Sequence, residues 1–369
     1  MTTSFETIPT IDLSLASDAG ALPGLLADLR RALVDVGFLY VANHGVPAAA
    51  VADLVGVALP ALFGDGGEGG GGGVSDDARR AVALENSPHF LGYAGLGSER
   101  TGGAADRREQ FEFATELPAT WREGMPLCER LRGPNQWPGG DARLRGVIET
   151  YIAELTRLGE RFLDLVAQAL SLPSGTFQPF LSDQHRLKLV RYPGSLLLLP
   201  GSSPSPASSQ GVGPHKDSSG WWTFLLQASP PEVRGLQVLN KAGAWVDVPA
   251  VPGTFVVNIG QAFEVVTGGV CKATTHRVLS GHHERFSVPF FQGVRRDLTK
   301  AEAVGALKAH FGGATGEESA EGSQIDSAFL RGKYDTWGES QLRTKIRSHR
   351  ENGRKFYGAV YEQYINDDP

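Results

Sequence analysis

The sequence predicts an α+β fold with a mainly β core, a barrel or two-sheet jelly roll that carries helices at both ends. Three observations lead to this prediction. Helical periodicity dominates the first half of the 369-residue chain, short β-prone runs follow Leu187, and a helical pattern returns near the C-terminus. Many short strands separated by turns are typical of barrels and jelly rolls. No internal repeat is visible, so we predict one β core surrounded by helices.

Hydrophobic periodicity predicts the N-terminal elements. Residues 8–13 alternate like a short strand, and leucines from Leu22 to Leu33 recur at helical spacing. Gly37 is expected to end this helix, and residues 38–42 read as a strand. Two further helices are predicted over 48–63 and 146–170, the second with an apolar face that suits the core.

The second half of the chain reads as a succession of strands. They are predicted over 187–192, 221–226, 236–239, 244–248, 254–259, 272–279 and 285–291, followed by a helix over 339–365. The adjacent Trp221 and Trp222 should point to opposite faces of their strand. Three segments read as loops or linkers, namely the glycine-rich 64–73, the Ser/Pro-rich 201–210 and the acidic 317–321.

Composition argues against several classes of function. The net charge is −6 and no long basic run is present, so we expect no nucleic-acid partner. No apolar stretch approaches the roughly 20 residues that a membrane span needs, and no secretory signal is visible. Cys128 and Cys271 are the only cysteines, which suits a reducing compartment. These features predict a cytoplasmic protein without a membrane partner; the oligomeric state stays open.

Three side chains form a candidate metal site. His215 and Asp217 are two residues apart, so in a strand they would share one face. His276 lies 59 residues downstream of Asp217 on another predicted strand. Two imidazoles and one carboxylate can hold ferrous iron on one side and leave other coordination positions open. Lys216, between the first two, is expected to point to solvent.

A second group of side chains suits a carboxylate ligand. Arg285 and Ser287 are again two apart on a predicted strand, and a guanidinium with a hydroxyl can clamp a carboxylate. Tyr192, at the end of an earlier strand, can add a phenolic hydrogen bond. Candidate pocket residues on nearby strands and one loop are Phe224, Leu226, Phe291, Gln292 and Tyr93. The remaining histidines, His349 among them, lack a partner at ligand spacing and are expected to be structural or exposed.

The order of these motifs resembles a known family. Tyr192-Pro193, His215-x-Asp217, His276 and Arg285-x-Ser287 follow one another as in the isopenicillin N synthase-like family of iron(II)/2-oxoglutarate-dependent oxygenases. Residues 8–12 and 37–45 are similar to that family's N-terminal region. Residues 85–93 and 133–138 resemble its fungal branch. The resemblance spans roughly residues 8–365.

The resemblance implies a fold, an activity and roles for residues. It implies a double-stranded β-helix within a single catalytic domain over 1–369, with a helical N-terminal region (1–180), a jelly-roll core with the metal site (181–300) and a C-terminal helical region (301–369). His215, Asp217 and His276 would bind Fe(II), and Arg285, Ser287 and Tyr192 the cosubstrate 2-oxoglutarate. With O2, such an enzyme oxidises an unactivated C–H bond of a small molecule by hydroxylation, desaturation or ring formation, in the fungal branch often in secondary metabolism. Plant members carry Asn where this chain has Val190, so that contact to the cosubstrate is missing.

Two alternatives stay open at this point. An oxidase of the isopenicillin N synthase type would use the same metal ligands without 2-oxoglutarate, its Arg-x-Ser and Tyr gripping the substrate carboxylate. A non-catalytic β-barrel that binds a ligand comes from another class. Succinate formation coupled to turnover would distinguish the 2-oxoglutarate-dependent enzyme from the oxidase. A visible absorption band with iron(II) and 2-oxoglutarate would distinguish it from the non-catalytic barrel. A zinc hydrolase is more distant, because no general base stands at a recognisable spacing.

Overall fold

The computed structural model describes residues 4–64, 73–194, 210–218, 220–311 and 325–366. The predicted glycine-rich and Ser/Pro-rich segments lie almost entirely outside these residues, and the acidic segment at 317–321 lies wholly outside them. Within the described ranges, no helix is both long enough and apolar enough to cross a bilayer.

The described residues form fourteen strands and twelve α-helices. The strands are β1 (Thr10–Asp12), β2 (Phe38–Ala42), β3 (Gly92–Ala94), β4 (Arg100–Thr101), β5 (Ala104–Ala105), β6 (Glu109–Ala114), β7 (Arg186–Tyr192), β8 (Gln210–His215), β9 (Trp222–Gln227), β10 (Leu236–Leu239), β11 (Trp245–Asp247), β12 (Thr254–Ile259), β13 (His276–Leu279) and β14 (Arg285–Phe291). The helices are α1 (Leu22–Arg31), α2 (Ala48–Asp53), α3 (Leu59–Phe63), α4 (Asp76–Ala81), α5 (Ala142–Ala169), α6 (Gln261–Val266), α7 (Lys300–Gly305), α8 (Lys308–Phe311), α9 (Ala328–Arg331), α10 (Trp337–Ser348), α11 (Arg350–Phe356) and α12 (Gly358–Asn366).

Two β-sheets form the core. The large sheet has the strand order β1-β2-β12-β9-β14-β7-β6-β3, and the small sheet has the order β11-β10-β13-β8. A buried apolar cluster joins their facing sides, with Val190 and Val256 from the large sheet and Val212, Val238 and Val278 from the small one. This is the predicted two-sheet jelly roll. Four of the strands in the large sheet (β1, β2, β3 and β6) come from the first 180 residues.

The opposite face of the large sheet is covered by helices. Helix α5 begins at the N-cap Asp141, whose carboxylate accepts hydrogen bonds from the backbone N–H groups of Arg143 and Leu144. Its buried stripe includes Leu155 and Phe162, and Phe162 packs edge-on against Trp222 and Phe224 of β9. Burial of this stripe stabilises the helix against the sheet. The large sheet is therefore held between a helical layer and the small sheet.

Several boundaries match the sequence prediction and others do not. Helix α1 continues into a π-helical segment (Ala32–Val36) that Gly37 ends at φ 72°. A Cβ at Gly37 would lie 2.2 Å from the Lys272 carbonyl oxygen, so only glycine fits. The predicted helix over 339–365 is instead three helices, because the backbone leaves the helical region at His349 (φ −129°, ψ 74°) and again at Tyr357 (φ −130°, ψ 27°). Trp221 and Trp222 are both fully buried, since Trp221 precedes β9 and packs against Phe180.

Strand β6 was not predicted from the sequence. All six of its residues are buried, including Glu109, Gln110 and Glu112. A strand covered on both faces lacks the alternation that identifies a half-exposed strand. Its polar residues also concealed its burial, and one of them, Glu112, lines the functional cavity.

Candidate metal centre and cosubstrate site

The two histidines meet across neighbouring strands of the small sheet. His215 ends β8 and His276 begins β13, and the two residues are directly paired in the antiparallel register. Their ring centroids lie 4.3 Å apart. Asp217 completes the group, and one ligand atom from each residue lies within 4.8 Å of the other two. The structure thus brings together the three side chains that the spacing suggested.

Asp217 reaches the site by a different route from the one predicted. Strand β8 ends at His215, so the strand pleat alone does not place the carboxylate beside the imidazole. Thr223 Oγ1 and Asn258 Nδ2 donate hydrogen bonds to Asp217 Oδ2 over 2.5 and 2.7 Å. The backbone N–H of Gln261 also donates to the Asp217 carbonyl oxygen. These contacts fix the carboxylate and leave Oδ1 for a metal.

Each imidazole is oriented by a backbone carbonyl. His215 Nδ1 lies 2.8 Å from the Gly213 carbonyl oxygen, and His276 Nδ1 lies 3.1 Å from that of Thr274. With Nδ1–H as donor, both Nε2 atoms are free acceptors, 3.6 and 3.5 Å from Asp217 Oδ1. A hydrogen bond from the outer ring nitrogen is the usual way to orient a metal-binding histidine.

The electrostatics of the three groups suit a divalent cation. Burial disfavours ionisation of Asp217, but hydrogen bonds and charge interactions with His215 and His276 hold its pKa well below the usual value. Burial and the neighbouring His276 lower the pKa of His215. Burial opposes protonation of His276 as well, but Asp217 outweighs it and raises the His276 pKa. A carboxylate between two imidazoles is the ligand set of mononuclear iron(II) oxygenases.

The predicted clamp presents an unpaired buried cation. Arg285 is 3% exposed, and its Nη2 donates to Gln227 Oε1 over 3.0 Å. Its Nη1 is buried without a hydrogen-bond partner in the described part of the chain. Burial lowers the pKa of Arg285, which the Tyr192 hydroxyl only partly offsets. A buried guanidinium with a free donor is costly unless an anion completes it, so the site fits the carboxylate of 2-oxoglutarate.

The clamp and the metal ligands open onto one cavity of about 350 Å³. Alternate residues of β14 face it, namely Arg285, Ser287, Pro289 and Phe291. Arg285 pairs with Tyr192 of β7, whereas Phe291 pairs with Thr223 of β9, which contacts Asp217. The large sheet therefore spans the floor of the cavity from the clamp at one end to the metal ligands at the other.

The predicted pocket residues separate into two groups. Phe291 lines the cavity. Phe224 and Leu226 do not, because β9 turns Thr223 and Leu225 toward the cavity and Phe224 toward α5. The predicted alternation was therefore wrong by one residue.

Three further side chains differ from expectation. Gln292 is fully buried against Gly159 on the helical side of the sheet. Tyr93 lines a separate cavity with Arg79 and His349. Lys216 does not extend into solvent: it lines the functional cavity and pairs with Glu264 over 3.3 Å.

The sequence reasoning missed the polar wall of the cavity. The charged residues on it include Glu99, Arg108, Glu112, Arg186, Lys188, Lys345 and His349. The available signal was the placement of Arg186 and Lys188 two residues apart in a strand, which puts both on one face. His349 was expected to be structural or exposed, but it is buried and lies 2.9 Å from Glu99.

Comparisons with known proteins agree with this geometry. Residues 184–294 match the 2OG-Fe(II) oxygenase superfamily, and residues 8–60 and 74–140 match the N-terminal region of the non-haem dioxygenase in morphine synthesis. The chain is 39% identical over 363 residues to 2-oxoglutarate-dependent dioxygenase frbJ of Dothideomycetidae sp. (strain 11243), which covers 96% of this chain and 92% of the relative. The chain belongs to the 2OG-Fe(II) oxygenase superfamily.

Other relatives and solved structures extend the likeness. A 2-oxoglutarate-dependent dioxygenase of Gibberella zeae is 35% identical over 84% of this chain and 81% of its own length. The structure of Neurospora crassa T7H with alpha-KG superposes with a TM-score of 0.66 at 21% identity, over 91% of this chain and 95% of that one. JOX2 in complex with 2OG, Fe and JA gives 0.61 at 27% identity, over 79% and 76%.

Family membership confirms the predicted class of enzyme. The oxygenase of this family is an oxidoreductase that uses Fe(II), 2-oxoglutarate and O2. The predicted jelly-roll fold is confirmed as well, and so is the predicted resemblance to fungal members of the family. The relatives that are 39% and 35% identical are both named 2-oxoglutarate-dependent dioxygenases, which favours an enzyme of that type over the oxidase and the non-catalytic barrel.

Proposed function

We propose that the protein oxidises an unactivated C–H bond of a small molecule in secondary metabolism, by hydroxylation, desaturation or ring formation. One observation carries the proposal: three metal-ligating side chains and an unpaired buried arginine open onto the same cavity. A volume of about 350 Å³ is at the small end of ligand pockets and suits a cosubstrate with a small substrate.

Each group in the cavity has a proposed role. His215, Asp217 and His276 hold the iron, which supplies the activation of O2 when it is bound. Arg285 donates to the distal carboxylate of 2-oxoglutarate through Nη1, the donor without a partner among the described residues. Ser287 and Tyr192 line the same end of the cavity and complete the clamp. Thr223 and Asn258 hold Asp217 in the orientation that the metal requires.

The chain's own side chains then control access and orientation. Phe38, Leu225 and Phe291 give the cavity apolar surfaces beside the metal ligands. Phe38 packs edge-on against the His276 ring, with centroids 5.2 Å apart. Such contacts keep the imidazole in place and exclude water from the reacting centre. The substrate C–H bond is positioned by the remaining wall, which includes α10.

A direct experiment tests the proposed function. Protein loaded anaerobically with Fe(II) and 2-oxoglutarate should develop a weak visible absorption band, and exposure to O2 should yield succinate even without substrate, at a slow uncoupled rate. The variant His276→Ala should show neither. The proposal fails if the native protein forms no succinate, or if His276→Ala forms it at the native rate.

We also propose that the chain acts as one catalytic domain in the cytoplasm, without a nucleic-acid or membrane partner. Strands β1, β2, β3 and β6 of the N-terminal region pair within the large sheet, which supports a single folding unit. Cys128 and Cys271 are both buried and free, which suits a reducing compartment. Limited proteolysis tests whether the chain is a single domain. Fractionation of the producing cells tests whether the protein is cytoplasmic.

A further inference from the structure

The side of the cavity formed by β6, β7 and α10 is built from buried charges. We call this group the charged wall; it consists of Glu99, Asp106, Arg108, Glu112, Arg186, Lys188 and Lys345. None of these side chains is more than 16% exposed. Burying so many charges is costly, so a fold keeps them only where they are paired or serve a ligand.

The carboxylate of Glu99 is fully occupied by the protein. Its Oε1 accepts a hydrogen bond from Gln110 Nε2 over 2.8 Å and one from Lys188 Nζ over 3.3 Å, with His349 Nε2 at 2.9 Å. Its Oε2 accepts a hydrogen bond from Arg108. No oxygen of Glu99 is left for a cationic substrate group.

Glu112 is similarly surrounded by cations. Arg186 Nη1 and Lys345 Nζ donate to its Oε1 over 2.6 and 2.7 Å, and Lys188 Nζ lies 3.7 Å from its Oε2. Glu112 Oε2 has no hydrogen-bond partner among the described residues, but three cations surround this one carboxylate, so a further cation beside it would meet net repulsion. The two glutamates of the wall therefore position the lysines and make poor sites for a positively charged ligand.

Lys188 and Lys345 each have N–H donors that no described residue accepts. An ammonium group carries three N–H donors. Lys345 Nζ makes one hydrogen bond to a described residue, that to Glu112, and Lys188 Nζ makes one, that to Glu99. Both side chains line the cavity. Their remaining donors are available to a ligand inside it.

The strand register places Lys188 nearer the metal end of the cavity than the clamp end, and Lys345 shares Glu112 with it. Leu187 of β7 pairs with Phe290 of β14 and Val190 pairs with Ser287, so Lys188 lies level with Pro289, two residues from Phe291. Tyr192, four residues further along β7, marks the opposite end, where Arg285 stands. Four residues of strand separate them by about 13 Å. A ligand held by Lys188 is therefore distinct from one held by the clamp.

The charge of the wall indicates the charge of its ligand. Four cations (Arg108, Arg186, Lys188 and Lys345) face three anions (Glu99, Asp106 and Glu112), which leaves one positive charge. Arg100 lines the same cavity and adds to the positive excess, so the wall suits an anionic group of the ligand.

We propose that the substrate is a carboxylic acid whose carboxylate is bound by Lys188 and Lys345, with the oxidised C–H bond directed toward the iron. The inference rests on the proposed function, since it names the substrate class of the same cavity. It assigns the charged wall to substrate selection and leaves Arg285 to the cosubstrate.

Ligand binding to the protein loaded with manganese(II) and 2-oxoglutarate tests the inference without turnover. The probes are matched pairs: L-α-amino acids and their α-carboxamides, phenylacetate and phenylacetamide, alkanoates and alkanamides, with alkyl phosphates as a further set. Thermal shift finds binders, and equilibrium dialysis measures Kd. We expect at least one carboxylate to bind at least about tenfold more tightly than its amide, as loss of one charge-assisted hydrogen bond predicts.

The variants identify the residues responsible. Lys188→Met and Lys345→Met should remove the preference for the acid, while Lys241→Met, at an exposed turn, should keep it. Lys345→Arg retains the charge and should keep the preference, which guards against loss of folding in the methionine variant. Affinity for 2-oxoglutarate should stay within about twofold of native in every variant.

The inference is overturned if amides or alkyl phosphates bind as tightly as carboxylates, if no carboxylate binds, or if both methionine variants keep the preference. Failure of the native protein to bind 2-oxoglutarate would overturn the proposed function itself, and this inference with it. The cosubstrate measurement thus separates the two failures.

Discussion

Asn258 donates a hydrogen bond from Nδ2 to Oδ2 of Asp217 over 2.7 Å, from the middle of the large sheet to a ligand that follows the small one. Both residues are buried. Because Thr223 donates to the same oxygen, Oδ1 alone remains directed at the two imidazoles. The orientation of the metal-binding carboxylate is thus set by the opposite sheet.

Asn258→Ala should weaken iron binding without unfolding the protein. Loss of such an orienting hydrogen bond typically lowers metal affinity roughly 10- to 100-fold. Competition with a coloured chelator measures the Fe(II) affinity. Asn86→Ala, at an exposed position, is the control and should bind iron like the native protein. Equal affinity in the two variants would refute the orienting role.

Asp217→Asn should reduce bound iron from about one equivalent to a small fraction, because a neutral amide replaces the only anionic ligand. The amide has the same shape, so the circular dichroism spectrum and the melting temperature should stay close to those of the metal-free native protein. Iron content by atomic absorption after anaerobic loading is the measurement. Stoichiometric iron in this variant would contradict the assignment of the ligand set.

Arg285→Gln should raise the Kd for 2-oxoglutarate roughly 10- to 100-fold, because the variant lacks the charged donor in a buried site. Iron affinity should be unchanged, since Arg285 is at the clamp end of the cavity. Titration of the visible band of the anaerobic Fe(II) complex gives both quantities. Arg234→Gln, on an exposed ion pair, is the control. An unchanged Kd would mean that 2-oxoglutarate binds elsewhere.

Glu112→Gln should destabilise the fold by about 3–5 kcal/mol, because it leaves Arg186, Lys188 and Lys345 buried without their shared counter-ion. Glu149→Gln breaks the exposed Arg145–Glu149 pair and should cost less than about 1 kcal/mol. Urea denaturation compares the two. Similar losses would show that the charged wall is not a stabilising network.

The pH dependence of the protein's stability should reflect the ionisation of Glu112. Burial opposes ionisation of Glu112, but the neighbouring lysines and Arg186 depress its pKa far below the usual value of 4.5. A depressed carboxyl pKa contributes stability above the unfolded pKa and loses it as pH falls toward the folded pKa. Native protein should therefore lose stability below about pH 4.5 more steeply than Glu112→Gln. Parallel acid titrations of both proteins by circular dichroism measure the difference.

Binding of a carboxylate by the charged wall should weaken as pH rises. Burial lowers the pKa of Lys345 from 10.5 to about 8, with Glu112 opposing and Arg186 and Lys188 reinforcing the shift. The protonated form predominates below this value, so affinity should fall above about pH 8. Equilibrium dialysis from about pH 7 to about pH 9 follows the change. Lys345→Arg stays charged over this range and should show a smaller fall; an equal fall would exclude Lys345 as its origin.

The sequence was most informative where chemistry depends on short spacing. Arg285 and Ser287 are two residues apart on β14, so a strand assignment was enough to place them on one face. The spacing of His215 and Asp217 also indicated a shared site, although Asp217 lies beyond β8 and is oriented by Thr223 and Asn258. The prediction was wrong where the first residue of a strand determines which side chains face the cavity. Strand β9 begins at Trp222, not Trp221, and Leu225 rather than Phe224 lines the cavity. A shift of one residue reverses every side chain on a strand.

The charged wall could not be predicted because its contacts are distant in sequence. Glu112 and Lys345 are 233 residues apart, and each alone resembles an ordinary surface charge. The break between α10 and α11 was equally hidden, since no proline or glycine marks His349. Tertiary packing decides both features, and a single sequence does not reveal it.

The iron ligands and the two lysines of the charged wall lie on different elements of the fold, and this separation has an evolutionary consequence. The iron ligands belong to β8, its following turn and β13, whereas Lys188 and Lys345 belong to β7 and α10. Mutations that reshape what the enzyme accepts can therefore accumulate on one half of the cavity while oxygen chemistry persists on the other. New substrates can be acquired by such a scaffold without an inactive intermediate.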